Sequence, residues 1–91
     1  MSVVIRYSPS NLTKEKYDEV NGRLDDESWP PDGLDMHVSF GSDGDLRVSE
    51  IWDSEEQWRT FAEKLMPALS EAGIEMSGDP EVYEVHELQK R

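Results

Sequence analysis

The chain has 91 residues and a formal net charge of −12, from nine Lys and Arg against 21 Asp and Glu. That length makes one domain over residues 1–91, because two would each fall below the size that buries a stable core. The charge opposes nucleic acid as a partner, since Lys and Arg supply most of that affinity by neutralising phosphates. No apolar run approaches the ~18 residues of a membrane span.

Cysteine is absent, which removes disulfides, thiolate metal sites and thiol catalysis together. Met1 to Tyr7 has no basic-then-apolar leader. The expectation is a cytoplasmic protein with no membrane partner, no nucleic-acid partner, no cofactor and no metal. Leu, Ile, Val and Phe number 19 of 91 residues, near the ~20% below which a highly charged chain stays disordered. The acids nevertheless sit between apolar residues with clear periodicity, the pattern of a folded domain with an acidic skin.

In chain order, Val3 to Tyr7 is a β-branched run closed by Ser8-Pro9-Ser10-Asn11, a strand followed by a loop. A helix follows, with Thr13 as N-cap, Leu12 and Tyr17 at the staple positions, and Tyr17, Val20 and Leu24 keeping one face apolar. Asp25 to Asp32 is an acidic loop containing Trp29-Pro30-Pro31, the candidate lid of any cavity.

The period then becomes two. Leu34, Met36, Val38 and Phe40 alternate with Asp35, His37 and Ser39 up to a turn at Gly41-Ser42-Asp43-Gly44, and Leu46 to Trp52 returns. Asp43-Gly44-Asp45 lacks the later ligands of a calcium loop and reads as a turn.

Ser54-Glu55-Glu56-Gln57 forms a capping box for a second helix with Trp58, Phe61, Ala62, Leu65, Leu69 and Ala72 on its apolar face and Gly73 as its stop. Pro67 predicts a kink or two shorter helices, since an interior proline costs about 3 kcal/mol. Ile74 to Pro80 is a loop and Val82 to Leu88 the last strand.

The order βαββαβ gives an α+β, ferredoxin-like fold: a four-stranded antiparallel sheet, order 4-1-3-2, with two helices on one face. His37 and His86 then belong to opposite edge strands, which excludes a metal shared within one chain. A two-residue turn at Asp43-Gly44 pairs Phe40 with Arg47, Val38 with Ser49, His37 with Glu50 and Met36 with Ile51.

The face with Leu34, Met36, Val38, Phe40 and Ile51 is the natural one to meet the helices. That leaves Asp35, His37, Ser39, Val48, Glu50 and Trp52 on the uncovered face. A carboxylate opposite an imidazole favours the charged ring and can hold one tautomer, as general acid/base chemistry needs. The competing interpretation is a structural cross-strand polar pair, with Trp52 as core or interface.

The stretch Glu50 to Phe61 resembles the strand-to-helix signature of the antibiotic biosynthesis monooxygenase family within the dimeric α+β barrel superfamily: an acid, x, Trp or Tyr, x, Ser, x, Glu, x and a bulky apolar residue. Small bacterial proteins of that kind also have Gly-Leu opening the second strand (Gly33-Leu34), a His within it (His37), Pro-Ala-Leu late in the second helix (Pro67 to Leu69) and Tyr-x-Val-His in the last strand (Tyr83 to His86).

The resemblance implies a ferredoxin-like protomer whose sheet faces that of a second protomer, forming a barrel with a cavity. It also implies activities that include cofactor-independent oxidation of aromatic substrates and haem degradation. The haem-degrading pattern departs here: its Trp falls at Phe61, its downstream His has no counterpart near Glu71, and no Asn stands between Val3 and Tyr7.

Two functions follow as expectations. One is a homodimer that binds a small organic molecule, as a cofactor-independent monooxygenase-like enzyme, with His37 and Glu50 as catalytic candidates and Asp35, His37, Glu50 and Trp52 as ligand-binding residues. The alternative is a non-catalytic dimeric binding or accessory module. A ribonucleoprotein-type fold shares the element order but wants basic residues where Asp35 and Glu50 stand. With Trp52 left for a partner chain to cover, the low apolar content predicts an obligate or near-obligate dimer.

Overall fold

The computed structural model describes residues 1–24 and 30–90. Its elements are β1 (Val3–Tyr7), α1 (Lys14–Leu24), β2 (Leu34–Ser42), β3 (Asp45–Trp52), α2 (Glu55–Glu71) and β4 (Glu81–Glu84). The strands form one antiparallel sheet in the order β2-β3-β1-β4, the ferredoxin-like βαββαβ arrangement expected from the sequence. No helix among the described residues is long and apolar enough to cross a membrane. Asp25 to Trp29, most of the expected lid, lie outside the described residues.

The helix ends follow local chemistry. Thr13 Oγ1 accepts the Lys16 N–H at 3.1 Å, and Asp43 of the hairpin turn accepts the Lys14 N–H at 2.9 Å, so two of α1's orphan donors are satisfied. Ser54 caps α2 by accepting the Gln57 N–H at 3.2 Å. At its other end Gly73, at φ +74°, donates to Ser70 O while Ile74 donates to Leu69 O, the paired bonds of a Schellman stop.

The expected break at Pro67 does not occur, and α2 runs through it. Pro67 stands on the exposed side with Glu63, so the carbonyl it leaves without an N–H partner is on the solvent side. Meanwhile the buried stripe Trp58, Phe61, Leu65 and Ala68 continues past it.

The hairpin register is the one read from the turn: Phe40 pairs with Arg47, Val38 with Ser49, His37 with Glu50 and Met36 with Ile51. Gly41 sits in it at φ +111°, and a Cβ there would lie 2.7 Å from the Asp45 carbonyl oxygen. Gly41→Ala should therefore cost about 1–3 kcal/mol, measured by urea denaturation; a loss within error of zero would contradict this close approach.

The assignment of the two sheet faces is reversed from expectation. Val3, Ile5 and Tyr7 of β1 are all buried, and the register sets them beside Trp52, Glu50 and Val48 of β3, which turns those residues toward the helices too. Met36, Val38 and Phe40 are instead on the outer face, each 42–43% exposed. Reading β2 alone misleads because its apolar residues are on the outer face and His37 is on the inner one. The choice is made by β1 and β3, whose inner residues include the two most completely buried large side chains, Trp52 and Ile5.

A register shift between Leu34 and Met36 also moves Leu34 inward to pack on the core, away from Met36. The last strand is shorter than the expected Val82 to Leu88 because its only neighbour runs out. Glu84 pairs with Val3, Val85 N–H reaches Ser2 O, and the chain then leaves the sheet.

Candidate functional site

Glu50 is the one buried charged residue among those described, 3% exposed in the layer between sheet and helices. A carboxylate there is costly unless every lone pair direction finds a donor. Its Oε1 accepts from Tyr7 Oη at 2.8 Å and from Trp52 Nε1 at 3.1 Å, and its Oε2 lies 2.7 Å from His37 Nδ1. His37 Nε2 is 2.8 Å from Tyr17 Oη on α1, and Trp58 Nε1 of α2 donates to Tyr7 Oη at 2.7 Å. Five of the six elements thus meet on one carboxylate directly or through one neighbour, α1 through His37 and α2 through Tyr7.

The charges in this chain follow from its contacts. The hydrogen bond to Glu50 is the largest influence on His37; with the Tyr17 bond and the Glu50 charge it outweighs burial and pushes the imidazole up to about 9. The ring is therefore an imidazolium at neutral pH, donating from Nδ1 to Glu50 and from Nε2 to Tyr17. Burial and the adjacent carboxylate drive the Tyr7 phenol far up, so it stays neutral and donates to Glu50. Burial also opposes ionisation of Tyr17, but hydrogen bonds with Ser39, Asn21 and His37 outweigh it and lower its pKa.

Because the folded pKa of His37 lies above the ~6.5 of a free imidazole, its pairing stabilises the fold fully below that value. The contribution is lost as pH rises through about 9.

A cavity of about 60 Å³ adjoins this chain. Tyr17, Asn21, His37 and Glu50 form its polar side, and residues such as Leu12, Val20, Phe61 and Leu65 the rest. That volume is room for a few waters and falls short of the ~150 Å³ that takes a benzene ring.

The four residues expected at a ligand site separate. His37 and Glu50 are joined and border the cavity. Trp52 is fully buried, packs on Phe61 at 5.4 Å between ring centroids, and serves the site only through its N–H to Glu50. Asp35 is at the strand irregularity and pairs with Lys90 at 2.8 Å, away from the cavity.

Sequence reading missed Tyr7 and Tyr17. Tyr7 reads as a strand end and Tyr17 as a staple residue, and both are partly apolar. The available signal was the Tyr17 hydroxyl on the same apolar helix layer as the Trp58 N–H, where each buried polar tip requires a partner.

No family model matches the chain, and no curated protein matches it. Solved structures do. A Deinococcus radiodurans protein provisionally assigned as an antibiotic biosynthesis monooxygenase superposes with a TM-score of 0.60 at 14% identity, over 100% of this chain and 98% of that one. The fold is that of the antibiotic biosynthesis monooxygenase-like proteins.

SnoaB of Streptomyces nogalater, described as a cofactor-independent oxygenase, gives a TM-score of 0.62 at 10% identity, over 99% of this chain and 96% of that one. A Chloroflexus aurantiacus protein with the same provisional assignment gives 0.59 at 14% identity, over 98% and 95%. Identities this low establish shared architecture across the whole of the chain and carry no residue roles with them.

Proposed function

We propose that the protein is a homodimer that binds a small, mainly apolar organic molecule between the sheet and the two helices, and acts on it as a cofactor-independent, oxygenase-like enzyme. The observation that carries this reading is the Tyr17–His37–Glu50 chain opening onto a cavity whose remaining walls are apolar. Such a site gives a ligand shape from side-chain packing and one polar anchor. The architecture shared with SnoaB supports it.

A ring-sized ligand requires the cavity to widen. Displacement of α1 does this most cheaply, since its buried anchors are only Val20 and Leu24 with the Tyr17–His37 bond. Binding of phenol and 1-naphthol, followed by saturation-transfer NMR, tests the reading. Saturable binding that weakens at least tenfold in both His37→Ala and Glu50→Gln supports it, and identical binding in both variants contradicts it.

The dimer rests on the outer sheet face. Met36, Val38 and Phe40 on β2 and Tyr83 on β4 are 42–52% exposed there, with Ile51 and Val4 between them in one cross-strand row. A second sheet laid on this surface buries it. The double substitution Val38→Glu with Phe40→Glu should give a monomer in sedimentation at micromolar concentration where the native chain is a dimer. A native chain that is monomeric and folded at nanomolar concentration would rule out near-obligate pairing.

One observation favours the non-catalytic binding or accessory module: at about 60 Å³ the cavity is small for a substrate. Oxygen uptake with a bound phenol separates the two, being present for the enzyme and absent for the module.

A further inference from the structure

Two hydrogen-bond partners of His37 hold it between a carboxylate and a hydroxyl. Glu50 holds Nδ1 at 2.7 Å and is itself fixed by Tyr7 and Trp52, so the imidazole cannot turn, and Nε2 is aimed at Tyr17 Oη at 2.8 Å. The order carboxylate, imidazolium, hydroxyl sets a charged N–H against the hydroxyl oxygen, which stabilises the deprotonated form of that hydroxyl. Tyr17 is the member of the three carried on α1, half-buried on the cavity wall, while Glu50 is sealed. Asn21, one helical turn after Tyr17, also lines the cavity and supplies a side-chain N–H on the same helix face.

We infer that Tyr17 is the catalytic proton acceptor of this cavity, taking a proton from the carbon beside the carbonyl of a small neutral ketone, with His37 and Glu50 as positioning residues. This rests on the reading that the cavity takes an organic ligand. The reactive state forms when the phenol–imidazolium pair gives one proton to solvent, leaving a Tyr17 phenolate that accepts the His37 Nε2–H while Glu50 balances the imidazolium charge. The substrate C–H bond breaks, its proton goes to Tyr17 Oη, and the C–H electron pair forms the enolate double bond as the carbonyl π pair moves onto oxygen, beside Asn21. Return of a proton from Tyr17 to carbon restores the ketone, so the cycle needs neither oxidant nor cofactor.

Neutral substrates suit a site that already holds one buried carboxylate in a chain of net charge −12. The groups facing Tyr17 are Asn21 from its own helix and His37 and Ser39 from β2, and behind His37 lie Glu50 from β3 and Tyr7 from β1. From α2 the cavity is met by Phe61, Leu65 and Leu69, none of them titratable.

The test is solvent exchange in D2O under argon, with acetone, butanone and cyclopentanone as probes of increasing size. Loss of the α-proton signal by NMR is followed alongside saturation-transfer binding of the same ketone. The expected result is exchange well above buffer that falls about 100-fold in Tyr17→Phe, a variant that keeps the ring and so the packing. His37→Gln, read at saturating ketone, should move the pH profile of exchange, which a purely structural role would not do.

Ketone binding without exchange, or equal exchange in Tyr17→Phe, overturns the inference and leaves the cavity reading standing. If no ketone binds, the inference is overturned, and the phenol titrations then decide the cavity reading separately.

Discussion

Replacing Glu50 by Ala should destabilise the protein by about 3–5 kcal/mol, the range for removing one member of a buried ion pair. The loss has three parts. Tyr7 Oη and Trp52 Nε1 each lose their acceptor in a layer where the carboxylate is only 3% exposed, and His37 loses the carboxylate that holds its proton.

The pH dependence identifies the third part. Native stability includes the His37 pairing fully below about pH 6.5 and loses it through about 9, whereas the variant has no such pairing to lose. The gap between the two should therefore be widest in acid and narrow above about pH 9. Glu50→Gln keeps an acceptor for Tyr7 and Trp52 and removes the charge and the acceptor facing His37, so its deficit should be smaller and more strongly pH-dependent in proportion. Urea denaturation at pH 6 and above pH 9 measures both. A Glu50→Ala deficit below about 1 kcal/mol, or one independent of pH, would mean that the carboxylate does not organise this layer.

Trp52→Ala should cost a comparable amount, about 3–5 kcal/mol, for a different reason. The indole is fully buried, packs on Phe61 and donates to Glu50, so truncation leaves a cavity in the core and removes a donor from the carboxylate. Domains of this size have total stabilities of about 5–15 kcal/mol, and the melting midpoint should fall by on the order of 15–30 °C. The same truncation on an uncovered sheet face would cost little in a monomer. A drop of only a few degrees would place Trp52 on the outer surface and reverse the face assignment.

That face assignment separates what was legible in the sequence from what was not. The hairpin register was readable because Asp43-Gly44 fixes a two-residue turn, and every pairing from Phe40–Arg47 to Met36–Ile51 then follows by counting. The caps at Thr13, Ser54 and Gly73 were readable for the same reason: each acts within a few residues of itself.

Which face meets the helices depends on long-range pairing, and β2 alone points the wrong way with Met36, Val38 and Phe40. The alternation of Val3, Ile5 and Tyr7 carried the deciding information, but only after its register against β3 was known. The displacement of Leu34 from its neighbours was hidden for a related reason, since a strand irregularity leaves no mark in an unbroken alternating pattern.

At the site, the His37–Glu50 pairing was visible as a cross-strand neighbour relation, and its burial was not. Glu50 looks like a solvent-facing acid until three donors from β1, β2 and β3 itself converge on it. Tyr17 was hidden because a tyrosine in a helix stripe ordinarily serves packing, and only the approach of α1 to β2 turns its hydroxyl into the end of a relay. The low apolar count that suggested marginal folding reads differently with the faces exchanged. The partner-covered residues would be Met36, Val38 and Phe40, with Trp52 already spent on the core.

The most direct test of this account is a pH titration of the His37 imidazole by NMR, assigned with His86→Gln to leave one histidine. The ring should carry protons on both nitrogens at pH 7.5 and lose one only near pH 9, and Glu50→Gln should bring that midpoint down. A His37 that titrates near the ordinary imidazole value of about 6.5 and is unmoved by Glu50→Gln would contradict the buried Tyr17–His37–Glu50 chain on which the functional reading stands.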